Sequence, residues 1–140
     1  MKKYLVLVLL VALNGCAVFR GMSAFDQNSY AAAMTLKEES LALVERSRNE
    51  QGERTPKQEL LSLAQRLDAQ VAYEVGKGKE NALSAKQWRL LADPKGNLLG
   101  GYLDRWASGV VLKQAFVTEK SNQIGDAFDE VLRLEGGKRK

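Results

Sequence analysis

Few side chains in this sequence could carry out nucleophilic or metal chemistry, because it contains one cysteine, Cys16, and no histidine. Histidine is the commonest general base and the commonest transition-metal ligand in proteins. Its absence excludes serine–histidine and cysteine–histidine nucleophilic sites, and a single thiol cannot build a structural zinc site. We therefore expect no metal and no cofactor.

Carboxylates remain as candidate catalytic groups, since two of them can hydrolyse a glycosidic bond without histidine. Their spacing along the sequence defines no pair, and acidic residues on amphipathic helices usually lie at the surface. We therefore expect that the protein is not an enzyme. The carboxylates considered are Asp93, Asp104, Asp126, Asp129 and Glu130.

Cys16 follows a segment with the composition of an export signal. Lys2 and Lys3 precede ten uncharged residues, 4–13, which suits the hydrophobic region of a signal peptide but is shorter than the about 20 residues of a membrane span. Leu13-Asn14-Gly15-Cys16 resembles the lipobox of bacterial lipoproteins, with leucine three positions before the cysteine and glycine immediately before it. Asn14 stands where a small or apolar residue is usual.

The resemblance implies that residues 1–15 are removed as a signal peptide and that Cys16 carries a lipid on its thiol, usually with a further acyl chain on its new amine. Two or three acyl chains give stable membrane attachment, whereas one holds only marginally. Ala17 is not the aspartate that retains such proteins in the inner membrane of enteric bacteria, so we expect the periplasmic side of the outer membrane. The alternatives are an uncleaved signal anchor and a buried, unmodified thiol.

The charge of the chain does not indicate a nucleic-acid partner. The 21 basic residues become 19 when Lys2 and Lys3 are removed, against 17 acidic residues. So small an excess does not predict the basic surface that nucleic acids bind. The remaining 125 of 140 residues are enough for one domain with its own core.

Apolar residues recur at three- and four-residue steps through most of this domain. The pattern predicts an all-α fold, an antiparallel bundle of three to four helices with a long C-terminal helix. We assign residues 16–22 to a lipidated tether, 23–135 to the helical domain and 136–140 to a solvated basic tail.

Three capping patterns predict where helices begin. Ser23, Thr55 and Ser84 are each followed three positions later by a residue suited to the first helical turn. The first helix should run from about Ala24 to Glu50, and the second should end near Gly76. These two helices should form an antiparallel hairpin.

An apolar heptad dominates the C-terminal part of the chain and predicts helix over residues 97–135, roughly 57 Å long. Gly109 and Gly125 allow a bend or a break in this helix. The stripe is either the core of the bundle or the seam of a self-associating coiled coil, although Lys113 and Lys120 interrupt its second row. Its members are Leu103, Trp106, Val110, Val117, Ile124 and Val131.

Aromatic residues on either side of Asp93-Pro94-Lys95-Gly96, a predicted turn, should cluster in space. Trp88, Tyr102 and Trp106 either fill the core or form a patch for a partner or for peptidoglycan.

We expect an outer-membrane lipoprotein whose periplasm-facing helical domain binds another envelope protein, as an assembly, pilotin-like or accessory subunit. The alternative is a structural tether between the outer membrane and peptidoglycan. A lipid at one end and a lysine, Lys140, at the other resemble the murein lipoproteins of enteric bacteria, whose final lysine is joined to the cell wall. The resemblance covers the two ends only.

Overall fold

The computed structural model describes residues 21–139, which form five α-helices and, within this part of the chain, no strand. The predicted all-α bundle is therefore confirmed. The signal segment 1–15, Cys16 and Lys140 lie outside the described residues. The helices are α1 (Gln27–Arg46), α2 (Lys57–Gly76), α3 (Ala82–Ala92), α4 (Leu99–Ala107) and α5 (Gln114–Gly136).

The longest helices pack in antiparallel directions. α1 lies against α5, with Arg48 bonded to Gln114 at one end and the Asp26 amide bonded to Glu135 at the other. α2 also runs antiparallel to α1, as predicted, and it packs on α3, which in turn contacts α5. The chain therefore closes into a bundle around one core.

The core is apolar and carries the three aromatic residues that were expected to cluster. Trp88, Tyr102 and Trp106 are each no more than 2% exposed, which favours the core interpretation of these residues. Trp88 meets Phe128 edge-to-face at 6.1 Å, and Tyr102 stacks on Phe116 at 5.9 Å. Large rings supply much of the apolar area that a domain of this size buries.

The C-terminal region contains two helices rather than one continuous helix. The break is at Gly109, whose φ of +83° lies in the left-handed region that glycine adopts without steric cost. Gly125 stays inside α5. A coiled-coil seam that includes the whole stripe would require one unbroken helix. The break therefore argues against the seam interpretation.

Five of the six stripe residues are buried in the core of this chain, and the sixth is Val110, which lies in the connection between α4 and α5 and is exposed. The buried members are Leu103, Trp106, Val117, Ile124 and Val131. The heptad pattern therefore marks core positions on two separate helices.

Helix ends differ from the predictions at four places. Thr55 does not cap α2, which begins at Lys57 with Pro56 at the cap position and no side-chain cap. α1 is capped by Asp26, whose Oδ1 accepts from the Asn28 amide at 2.8 Å, and not by Ser23. It ends at Arg46, four residues before the predicted end, since the Ser47 hydroxyl donates to the Val44 carbonyl at 2.6 Å in a closing turn. Ser84 lies inside α3 rather than at its start.

The predicted turn after α3 is present, with the Gly96 amide donating to the Asp93 carbonyl at 3.0 Å. α4 begins directly against this turn. A Cβ atom on Gly100 would lie 2.2 Å from the Ala92 carbonyl oxygen, so only glycine fits there.

Candidate functional site

The bundle has two ends with different structure. The proximal end holds Ser23, the connection between α2 and α3, and the C-terminus of α5. The distal end holds residues 47–54 and the connection 108–113. Because α1 has 20 residues, the two ends lie about 30 Å apart at 1.5 Å per residue.

At the proximal end the N-terminal segment is fastened to the bundle by hydrogen bonds. The Ser23 amide donates to the Glu80 carbonyl at 3.0 Å, and the Ser23 hydroxyl donates to Asn81 Oδ1 at 2.7 Å. The Asp26 amide donates to Glu135 Oε1 at 2.7 Å. These contacts hold the start of the described chain against the proximal end.

Glu74 is the centre of a buried polar cluster at this end and is fully buried. It accepts from the Ser29 hydroxyl, from Asn81 Nδ2 at 2.7 Å and from Lys77 Nζ at 3.1 Å. Burial acts to raise the pKa of Glu74, but the hydrogen bonds and the lysine charge together lower it below its ordinary value. A carboxylate with this many donors is a satisfied structural group.

Asp26 completes the cluster on the side of α1. Its carboxylate pairs with Lys77 Nζ at 2.9 Å and accepts from the Tyr73 hydroxyl at 2.6 Å. Burial alone would raise the pKa of Asp26, yet the bonds from Lys77, Tyr73 and the Asn28 amide hold it well below its usual range. The pKa of Lys77 is raised despite its burial, because two carboxylates face it.

Lys138 is buried, contrary to the solvated tail predicted for residues 136–140, whereas Gly137 and Arg139 are exposed. Lys138 is 8% exposed, and its Nζ bonds Glu135 at 2.7 Å and Asn81 at 2.9 Å. It also lies 3.2 Å from the Ser23 hydroxyl. The two termini of the described chain are thus neighbours, unlike the opposite ends of a single murein-lipoprotein helix.

At the distal end the connection between α4 and α5 presents apolar side chains to solvent. Val110 is 42% and Val111 is 78% exposed, whereas the next residue, Leu112, is 3% exposed. Val111 is the most exposed of the large apolar residues in the part of the chain that the structure describes. We define residues 108–113 as the distal loop.

The distal loop is held rigidly although its valines are exposed. The Gln51 side chain donates to the Leu112 carbonyl at 2.9 Å and accepts from the Leu112 amide at 2.8 Å. Gln51 also donates to the Ser47 carbonyl, and Trp106 Nε1 donates to the Glu50 carbonyl at 2.8 Å. Two exposed valines on an immobilised loop form a preorganised contact surface.

The sequence predictions did not find the distal loop, since the heptad placed Val110 on a helix face. The available signal was Gly109 followed by two β-branched residues, a composition that favours extended chain over helix. That signal was outweighed by the seven-residue period on either side.

The carboxylates that were considered for catalysis occupy ordinary positions. Asp129 forms an ion pair with Lys37, and Glu130 forms one with Arg133 at 2.7 Å. The Asp93 carboxylate accepts a hydrogen bond from the Lys95 amide within the same turn. Asp104 and Asp126 are exposed. Within residues 21–139, no group of three or more acidic, cysteine or histidine side chains is arranged to hold a metal ion.

None of the described helices combines the length and the apolar composition needed to cross a membrane. No family model, curated protein or solved structure matches the chain.

Proposed function

We propose that the chain is a lipoprotein of the bacterial outer membrane that binds another envelope protein through the distal loop. The anchor in this proposal is a lipid on Cys16, on the periplasmic side of the membrane. The bundle then acts as a non-enzymatic assembly, pilotin-like or accessory subunit. The lipobox-like residues 13–16 support the anchor, and the distal loop supports the binding activity.

The observation that carries the binding proposal is the exposure of Val110 and Val111 on a loop clamped by Gln51. Exposing two adjacent β-branched side chains is unfavourable in water, and immobilising them adds to the conformational entropy that folding loses. A partner that covers these two side chains would gain the free energy of burying their apolar surface.

The position of the loop agrees with a role at a distance from the membrane. The N-terminal segment is fastened at the proximal end, about 30 Å from the distal loop along α1. A lipid on Cys16 would therefore leave the distal loop free to meet a partner in the periplasm.

The anchor is tested with intact protein purified from membranes. Mass spectrometry should find Cys16 as the N-terminal residue with two or three acyl chains, and Cys16→Ala should carry no acyl chain and should keep residues 1–15. An unmodified thiol in the intact protein would contradict the anchor.

The binding site is tested by cross-linking in intact cells with the double variant Val110→Ser, Val111→Ser. The amount of cross-linked complex between this protein and its partner should fall to background, because the serine side chains no longer bury apolar surface. Met34→Ser is the matched control, since Met34 is 47% exposed on α1, outside the distal loop. An unchanged product in the double variant, or an equal loss in the control, would contradict the proposal.

A further inference from the structure

We infer that the distal loop binds its partner by β-strand addition, pairing the backbone of Val111 with an extended segment that carries an apolar residue and, two positions away, an acidic one. This inference rests on the proposed function of the distal loop. It names the backbone conformation and the chemistry of the partner segment.

The backbone around Leu112 is extended. Its N–H and its C=O both bond the single side-chain amide of Gln51, at 2.8 Å and 2.9 Å. Both groups of one residue can point to the same side only when the chain is extended there. Gln51 therefore occupies the place that a neighbouring strand would take on one edge of this segment.

At the opposite edge, within residues 21–139, the unpaired backbone groups are those of Val111, since the Lys113 carbonyl accepts from the Val117 amide at 3.0 Å. In extended chain the N–H and C=O groups of successive residues point to alternate sides, so those of Val111 point away from Gln51. Within residues 21–139 neither the N–H nor the C=O of Val111 has a hydrogen-bond partner. An extended segment of another protein supplies one donor and one acceptor at the required spacing.

The side chains specify what that segment must contain. Leu112 is buried and Val111 is 78% exposed, so these two neighbouring side chains project in opposite directions, as in extended chain. Lys113 follows two residues after Val111 and thus projects on the same face. It is exposed and forms no ion pair among the described residues.

An added strand would place side chains directly opposite Val111 and Lys113, about 5 Å away. An apolar side chain opposite Val111 would cover its exposed surface. A carboxylate opposite Lys113 would supply the opposite charge, and like charge there would disfavour pairing. Gln51 already holds the backbone of the distal loop at Leu112, so the loop itself loses little conformational entropy on binding.

The test is site-specific photocross-linking of the full-length protein in intact cells, with benzoylphenylalanine in place of Val111 or of Lys113. The attachment sites on the partner are then mapped by mass spectrometry. Strand addition predicts that the two probes attach to one partner segment at positions two residues apart. Attachment three or four residues apart on a helix, or on two separate segments, would overturn strand addition but keep the proposed function. Absence of any protein product from both probes would contradict the proposed function itself.

Substitutions at two positions test the backbone and charge contributions separately. Val111→Pro removes the N–H donor and should lower cross-linking at least about fivefold, as expected for a lost hydrogen bond. Val111→Thr keeps the backbone N–H and the branched side-chain shape, so it should reduce cross-linking less than Val111→Pro does. Lys113→Glu should lower the yield, and an acid-to-lysine change at the mapped partner position should restore it. If proline and threonine behave alike while thermal unfolding is unchanged, strand addition is wrong.

Discussion

The side-chain amide of Gln51 pairs with both backbone groups of Leu112, at 2.8 Å and 2.9 Å, as the peptide group of an adjacent strand would. In an all-helical chain this contact determines the shape of the connection between α4 and α5. It buries Leu112 and leaves Val111 at the surface. The proposed binding surface and its pairing with an extended partner segment both depend on this contact.

Replacing Gln51 by alanine should destabilise the protein by about 1–3 kcal/mol, because the N–H and C=O of Leu112 then lose their partners in a partly buried site. Urea unfolding followed by circular dichroism measures the change. Gln58→Ala, at an exposed position of α2, is the matched control and should alter stability by no more than about 0.5 kcal/mol. Equal effects from the two variants would show that the Gln51 contact is not stabilising.

Gly100→Ala should be strongly destabilising, by about 2 kcal/mol or more, since its Cβ would lie 2.2 Å from the Ala92 carbonyl oxygen. Backbone on both sides must shift to relieve that contact. Gly125→Ala is the opposite case, because its nearest neighbour would be Leu41 Cδ1 at 3.8 Å. Alanine should stabilise α5 there by up to about 1 kcal/mol. Thermal unfolding of both variants should therefore move in opposite directions.

Two buried serines should respond differently to alanine. The Ser47 hydroxyl donates to the Val44 carbonyl at 2.6 Å and also contacts the Tyr102 hydroxyl, so Ser47→Ala should cost about 1–3 kcal/mol. The Ser84 hydroxyl is buried with no partner in the described part of the chain. Ser84→Ala should be neutral or stabilising in the same unfolding assay. A large loss of stability from Ser84→Ala would contradict this.

Stability should decline in acid through the cluster at the proximal end. The pKa values of Asp26 and Glu74 are lowered from their ordinary values of 3.8 and 4.5. A carboxylate with a lowered pKa contributes stability above its unfolded pKa, and this contribution is lost as the pH falls through its folded pKa. The unfolding free energy should therefore fall as the pH drops below about 4.5.

The variant Glu74→Gln assigns part of this acid response to one group. It should be less stable than the natural protein at neutral pH, by roughly 2 kcal/mol for a lost charged hydrogen-bond acceptor. Its stability should also decline less on acidification, because one titrating group is gone. Glu53→Gln, in the exposed turn before α2, is the control. An acid profile for Glu74→Gln parallel to that of the natural protein would contradict the prediction.

The predictions of separate helices succeeded where the spacing of apolar residues and the helix-ending residues agreed. Leu60, Leu63 and Leu67 lie on one buried face of α2, as their spacing predicts, and α2 ends at Gly76. The prediction failed where a local pattern had a tertiary competitor. Ser23 fits a helix cap by sequence, but its hydroxyl bonds Asn81, 58 residues away. Helix-capping rules use only neighbouring residues and therefore cannot predict such a contact.

The sequence by itself determined the all-α fold and the absence of imidazole side chains, and it left the heptad stripe open between a core and a coiled-coil seam. These follow from side-chain period and composition, which need no knowledge of distant residues. Only the tertiary structure decided that the heptad spans two helices, that Lys138 lies beside Ser23, and that Val111 faces solvent. The position of Lys138 and the exposure of Val111 depend on contacts between residues far apart in sequence, above all the Gln51 amide on Leu112.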